Sequence, residues 1–325
     1  MTASADRPAS PSPTWSDQDF RPEGRYWRDR TSILGPVMLL PAVIYIVGLV
    51  GIPFFIAIAY AFSDVTVGDQ SIDWVGLDNF RSIIENRTFR MALRNSFLFA
   101  IVSQIIVIIL ANILALVLSS QFHGKRIVRF LVLLPWTTPL ALAVIGWLWT
   151  LDSVYSPIDA FLRQIGLLGP DTYFGPGRNM LWLAKTELAQ LSVLTIHVWR
   201  TLPLATVILL AGLASIPQDV KDAADVDGAS FLRQLVYIRF PLLVPIMAVA
   251  VLYGIVFTFT DMTVVYILTR GGPINNTQVL ASWAFFTGVE ASNLAHGAAI
   301  ALFLFPLLVV VAMIMLRMAR RAETS

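Results

Sequence analysis

Apolar and polar positions fall along this chain in long blocks. Six runs carry almost no charge: Ile33–Phe62, Ser96–Ser120, Phe130–Leu151, Leu188–Ile216, Pro241–Thr269 and Leu294–Leu316. Each supplies the roughly 20 apolar residues needed to cross a hydrocarbon layer. Four contain no Asp, Glu, Lys or Arg; the fourth run holds only Arg200 and the fifth only Asp261. In lipid a segment must satisfy its own backbone polar groups, so the runs predict helices. The pattern is that of an all-α integral membrane protein with six transmembrane helices.

Composition supports this. Of 325 residues, 57% are hydrophobic and 14% charged, against about 25% charged in soluble domains. A net charge of +2 gives no case for a nucleic-acid partner. The absence of cysteine removes disulfides, thiolate metal sites and a cysteine nucleophile. Residues 1–32 are polar and rich in Pro, Ser and Arg, and predict a disordered tail, not a signal peptide. The expected organisation is this tail, a six-helix transmembrane domain over 33–317, and a short tail over 318–325.

Basic residues suggest the orientation. With both termini inside, the inner segments 1–32, 121–129, 217–240 and 317–325 hold 14 Lys/Arg, and the outer segments 8. Such an excess marks the cytoplasmic side. The inner segment 217–240 contains Lys221–Ser230, "KDAADVDGAS", an acidic interruption between two of the most apolar runs. Pro217 stops one helix, Asp219 is placed to cap a short one over Val220–Val226, and Gly228 supplies a turn. A second short helix is expected over Ser230–Arg239. An ordinary interfacial loop would satisfy the same physics.

The spacing Asp222-Ala223-Ala224, three residues, Gly228, nine residues, Ile238-x-Phe240-Pro241 resembles the Glu-Ala-Ala motif of permease subunits of ATP-binding-cassette importers. Asp222 stands for the usual Glu and Phe240 for Leu. The stretches "WVGLDNFRSII" (74–84), "RFLVLLPWTTP" (129–139), "VWRTLPL" (198–204) and "LTRGGPINNT" (268–277) resemble the carbohydrate, maltose-permease-like branch, and extend the likeness over roughly 30–320. The resemblance implies a type I ABC importer permease fold in the bacterial cytoplasmic membrane. It implies that Asp222, Ala223, Ala224, Asp227, Gly228 and Pro241 belong to a coupling element for two cytoplasmic ATPases. A second homologous permease subunit and an extracytoplasmic substrate-binding protein are the other implied partners.

No phosphate-binding Gly-x4-Gly-Lys-Ser/Thr loop occurs, so ATP and Mg are expected on the ATPases and no cofactor in this chain. No hydrolase motif occurs either. A proton-coupled transporter or an intramembrane enzyme would have to use His197, Arg200 and Asp261, and leaves the 217–240 element unexplained.

Those polar residues are the candidate substrate site. His197, Arg200 and Thr201 share one helix face, and Gly254, Thr258 and Asp261 are expected to line up on the next span. Trp136 lies between Pro135 and Pro139, which must distort the third span. Distorted helices of this kind line transport pathways. The resemblance places sugar contacts at Trp136, Leu140, His197, Arg200, Thr201, Gly254, Thr258 and Asp261. Leu140 and Gly254 offer no polar group, and Arg200 replaces an apolar residue, so a solute other than maltose is expected, with a glycerophosphate-type anion as alternative. Two roles stay open for Arg200 and Asp261: a structural pair, or substrate contact. Trp147 and Trp149 read as interfacial aromatics, His296 as a satisfied interfacial histidine, and Tyr155, Tyr173 and Trp182 as an outer surface for a binding protein.

Overall fold

A computed structural model describes residues 31–175 and 179–324. The expected tail over 1–32 lies almost wholly outside the described residues. Among those described there is no strand, only an isolated bridge between Ser63 and Trp74. The described residues thus form the all-α architecture that burial of backbone in hydrocarbon requires.

The chain forms two compact units, one ending at Phe55 and one beginning at Ile56. The first is built on α1 (Thr31–Ile46) and a π-helical turn, Val47–Gly51, that leads into α2 (Ile52–Ala61). Ile52 N–H reaches back five residues to Val47 O. The wider turn accommodates Pro53, which cannot donate to the ladder.

The second unit contains α3 (Asp78–Glu85) and the long helices α4 (Arg87–Ser119) and α8 (Thr186–Ser215). They are joined by α11 (Phe240–Thr260) and α14 (Leu294–Thr324). The Asn86 side chain caps α4 by accepting Thr88 N–H at 2.8 Å. Where α4 meets α8 and α11, Ala111 and Ala115 are fully buried among Leu209, Leu213 and Leu243. Small side chains there let apolar helices approach closely, the main source of packing when lipid competes with every Leu. The last helix continues without interruption through Arg317, across the expected 318–325 tail, to Thr324.

The third apolar run is two helices, α5 (Lys125–Thr137) and α6 (Leu140–Thr150), bent by 98°. Thr138, the residue before Pro139, is extended (φ −76°, ψ 134°), as the proline ring demands. Hydroxyls of Thr137 and Thr138 donate to Leu134 O at 3.1 and 2.8 Å. Among the described residues five helices are long and apolar enough to span a membrane, and six if the bent pair is one span.

The fifth run departs from expectation at both ends. The short helix α10 (Phe231–Gln234), a π turn (Leu235–Arg239) and α11 form one continuous 30-residue helix. Pro241 therefore lies inside a helix and does not separate loop from span. Its missing N–H is absorbed by the π turn, in which Phe240 N–H reaches Leu235 O. At the other end the helix stops at Thr260, not Thr269. Asp261 is extended, and its Oδ1 accepts Thr263 N–H at 2.9 Å. A carboxylate that bonds the backbone two residues ahead competes with the helix and ends it. The chain resumes as α12 (Thr263–Leu268), packed against α6.

Loops at the far end of the bundle are tied down. Asp159 of α7 (Pro157–Gln164) is fully buried and accepts Met180 N–H at 2.8 Å and Trp182 Nε1–H at 2.9 Å. Trp182 is thus part of the loop's frame and not a free outer surface, whereas Tyr155 and Tyr173 are exposed. Trp147 also departs from expectation: it packs inward, edge-on to Trp199 at 5.7 Å, while Trp149 is exposed. His296 is satisfied, with Ser82 Oγ at 3.0 Å from Nε2 and Asn293 Oδ1 at 3.1 Å from Nδ1.

Candidate functional site

Two sites emerge, at opposite ends of one helix. The first is the knob formed by α9 (Gln218–Val226), the turn at Gly228 and α10. Pro217 occupies the N-cap position without a side-chain bond, so Asp219 is not the cap. It sits in the first turn instead, where a carboxylate suits the helix dipole. Asp222 is exposed and accepts Gln218 Nε2–H at 2.8 Å. Ala223 is exposed beside it, and Ala224 turns inward with 5% exposure. Asp227 ends the helix and Gly228 follows at φ +67°.

No heavy atom would crowd a side chain at position 228, so only the backbone angle calls for glycine. Gly228→Val is therefore expected to weaken the knob by roughly 1–2 kcal/mol, the cost of a left-handed conformation for a residue with Cβ. Gly228→Asn should be milder, and Ala229→Val milder still. Comparing transport rates of the three variants tests this; equal rates for the two valine variants would remove the turn assignment.

Gln234, not evident in the sequence as a functional residue, clasps the knob. It is buried; its Nε2 donates to Asp225 Oδ1 at 2.6 Å and Ala229 O at 3.1 Å, and its Oε1 accepts from Arg239 at 3.3 Å. Its neighbour Arg233 is equally polar, so the stretch Phe231–Val236 carried no signal that set Gln234 apart. Val226, Leu232 and Tyr237 stay exposed around the knob, at 88%, 69% and 75%. This is an apolar rim on a protrusion whose inner contacts are already satisfied.

The second site lies where α11 ends. Arg200 Nη1 donates to Asp261 Oδ2 at 2.7 Å, with side chains only 18% and 9% exposed. His197 Nε2 lies 2.8 Å from Thr258 Oγ1, whose own hydroxyl donates to Gly254 O at 2.7 Å. Thr258 has spent its single proton, so the imidazole Nε2 carries the hydrogen of that contact. His197 Nδ1 then faces Asp261 Oδ2 at 4.0 Å. Thr201 Oγ1 donates to His197 O at 2.9 Å. His197, Arg200, Thr258 and Asp261 are thus brought together. Asp261 joins them from the helix end and not from a helix face.

Trp136 reaches this cluster through an aromatic row. It lies 6.1 Å from Phe257, which stacks on Tyr253 at 5.7 Å and 15°. The Arg200 guanidinium sits 4.5 Å above the Phe257 ring, a cation–π contact that helps hold the charge away from water. Leu140 is half-buried at the start of α6, beyond the bend. Phe257 and Tyr253 were not legible as site residues, since aromatics four apart on an apolar helix look like packing. A cavity beside the cluster is lined by Ser96, Phe99, His197, Thr258, Asp261 and Val264. No group of three or more His, Cys, Asp or Glu suited to a metal occurs among the described residues.

Comparison with known proteins matches residues 113–324 to the family described as binding-protein-dependent transport system inner membrane component. The chain is 28% identical to the trehalose/maltose transport system permease protein MalF of Thermococcus litoralis, over 90% of this chain and 95% of that one. It is 26% identical to the sulfoquinovosyl glycerol transport system permease protein SmoG of Agrobacterium fabrum, over 94% and 97%. Its fold matches a chain of a bacterial alginate ABC transporter, solved with an alginate pentasaccharide-bound periplasmic protein. That match has a TM-score of 0.75 at 21% identity, over 90% of this chain and 96% of that one.

Proposed function

Because the chain belongs to the family of binding-protein-dependent transport system inner membrane components, we propose that it is the permease subunit of an ATP-driven importer of a sugar or oligosaccharide. It would act with a second homologous permease subunit, two cytoplasmic ATPases that bind ATP and Mg, and an extracytoplasmic binding protein. It would reside in a bacterial cytoplasmic membrane with both termini inside.

The observation that carries this reading is the continuity of the helix from Phe231 to Thr260. One end forms the knob, with exposed Asp222 and its apolar rim. The other end carries the break at Asp261, beside His197 and Arg200. At about 1.5 Å per residue the two ends are ~45 Å apart. A helix is stiff along its axis, so an ATPase that pulls the knob moves the Thr260–Asp261 corner against α8. Alternating access needs such a lever. Names of the relatives that transport trehalose, maltose or sulfoquinovosyl glycerol support a hydroxyl-rich cargo. Stacking surfaces at Trp136 and Tyr253 suit the apolar faces of sugar rings. A phosphate-bearing cargo is less favoured, because Asp261 already neutralises Arg200.

Uptake of labelled trehalose, maltose and maltopentaose into proteoliposomes holding the whole complex tests the reading. Uptake should require ATP and vanish with an ATPase unable to hydrolyse it. Uptake driven by a proton gradient without any ATPase would overturn it.

A further inference from the structure

Gln104 of α4 is used by nothing described so far. It is 5% exposed, and its Nε2 has no hydrogen-bond partner among the described residues. Its carboxamide lies directly over Gly254 of α11. A Cβ at position 254 would collide with Oε1, Cδ and Nε2 of Gln104. The same small cavity is lined by Thr201, Ala205, Ala250 and Tyr253.

Two unfavourable choices therefore coincide. A glycine occupies the interior of a long helix, where alanine is preferred. The space it vacates is filled by an amide with an unanswered donor, although buried polar groups are nearly always paired. An apolar side chain at 104 with alanine at 254 would fill this volume without either penalty. The arrangement makes sense if the amide has its partner in a state where the cavity is occupied.

We propose that Gln104 is a further specificity-determining residue, whose carboxamide donates to a hydroxyl of the transported sugar in the cavity between α4, α8 and α11. The inference rests on the sugar-import reading. The surroundings complement a polyol. Thr201 Oγ1 has donated its proton to His197 O and is left as an acceptor. Tyr253 is held flat against Phe257 and offers a fixed aromatic wall. A sugar hydroxyl both accepts and donates, so one such group answers Gln104 and Thr201 together. The missing Cβ at Gly254 lets the carboxamide occupy the site in the empty protein and yield it when a solute enters.

The test uses the complete importer in proteoliposomes, with trehalose, maltose, maltopentaose and monodeoxy analogues of the first two as probes. Gln104→Leu should lower uptake of an intact transported sugar by roughly fivefold, the worth of one hydrogen bond. One monodeoxy analogue, already poor for the wild type, should lose nothing further in Gln104→Leu. Gln104→Asn, which keeps the amide, should retain part of the discrimination. An equal fold loss for every probe, or no loss, would assign Gln104 to packing and overturn the inference while leaving sugar import intact. Should Gln104→Leu fail to assemble, Gln104→Ala/Gly254→Ala, in which the new methyl group at 254 takes part of the space the carboxamide leaves, should show the same loss of discrimination. A wild-type importer that takes up neither these probes nor any of a wider panel of mono- and oligosaccharides removes the sugar reading, and this assignment with it.

Discussion

Arg200→Leu and Asp261→Asn should each, alone, leave a complex that unfolds early and assembles poorly, whereas the double variant should recover most of the wild-type stability. Nη1 and Oδ2 are 2.7 Å apart with little exposure. Removing one partner strands the other charge at membrane depth, which costs roughly 3–5 kcal/mol for a buried pair. Removing both strands nothing. Asp261→Asn is the informative replacement because an amide Oδ1 can still accept Thr263 N–H and keep the helix end in place. Thermal unfolding of the detergent-solubilised complex gives the four corners of the cycle, with an expected coupling of about 2–4 kcal/mol. Small, additive effects would show that the two groups are separately solvated. Uptake measured on the same variants separates structure from recognition. A double variant that assembles yet does not transport would show that Asp261 also serves the cargo.

The second large effect is expected at the knob. Asp222→Lys should leave insertion and folding unchanged but reduce co-purification of the ATPases at least tenfold, with uptake falling in parallel. The side chain is exposed and, among the described residues, bonded only to Gln218, so its replacement disturbs little inside the subunit. Under the proposed function, its value comes from a basic residue of the ATPase. Reversing one member of a close interfacial charge pair costs about 1.5–7 kcal/mol in coupling energy. Asp222→Glu, the residue usual in the motif, should be neutral. Undiminished co-purification and full transport-coupled hydrolysis by Asp222→Lys would detach the knob from the ATPase. Together with the Gly228 series, this distinguishes a shape requirement from a charge requirement in one element.

Much of the architecture was legible because lipid imposes strict rules on sequence. A run of about 20 apolar residues in hydrocarbon has one backbone solution. The helical runs, the break at Pro139 and the turn at Gly228 all follow from properties that a residue carries by itself. Proline lacks a donor and glycine lacks a Cβ. Arg200 and Asp261 stood out for the same reason, each alone in an uncharged run. The sequence placed them at similar depth and left open whether they touch.

What the sequence left open depends on groups far apart in the chain. Helix α11 ends at Thr260 because Asp261 turns to its own backbone and to Arg200, 61 positions earlier. No local propensity shows that Arg200 lies within reach. Pro241 looked like a boundary and lies within a helix, since a π turn absorbed the missing bond. Gln104 was invisible in an apolar run, and its meaning appeared only when Gly254 of another helix lay beneath it. The sequence by itself determined which segments cross the membrane, where the chain must bend, and which charges need an explanation. Only the tertiary structure decided which polar groups meet, because a pairing is a property of two surfaces brought together by packing and not of either residue alone.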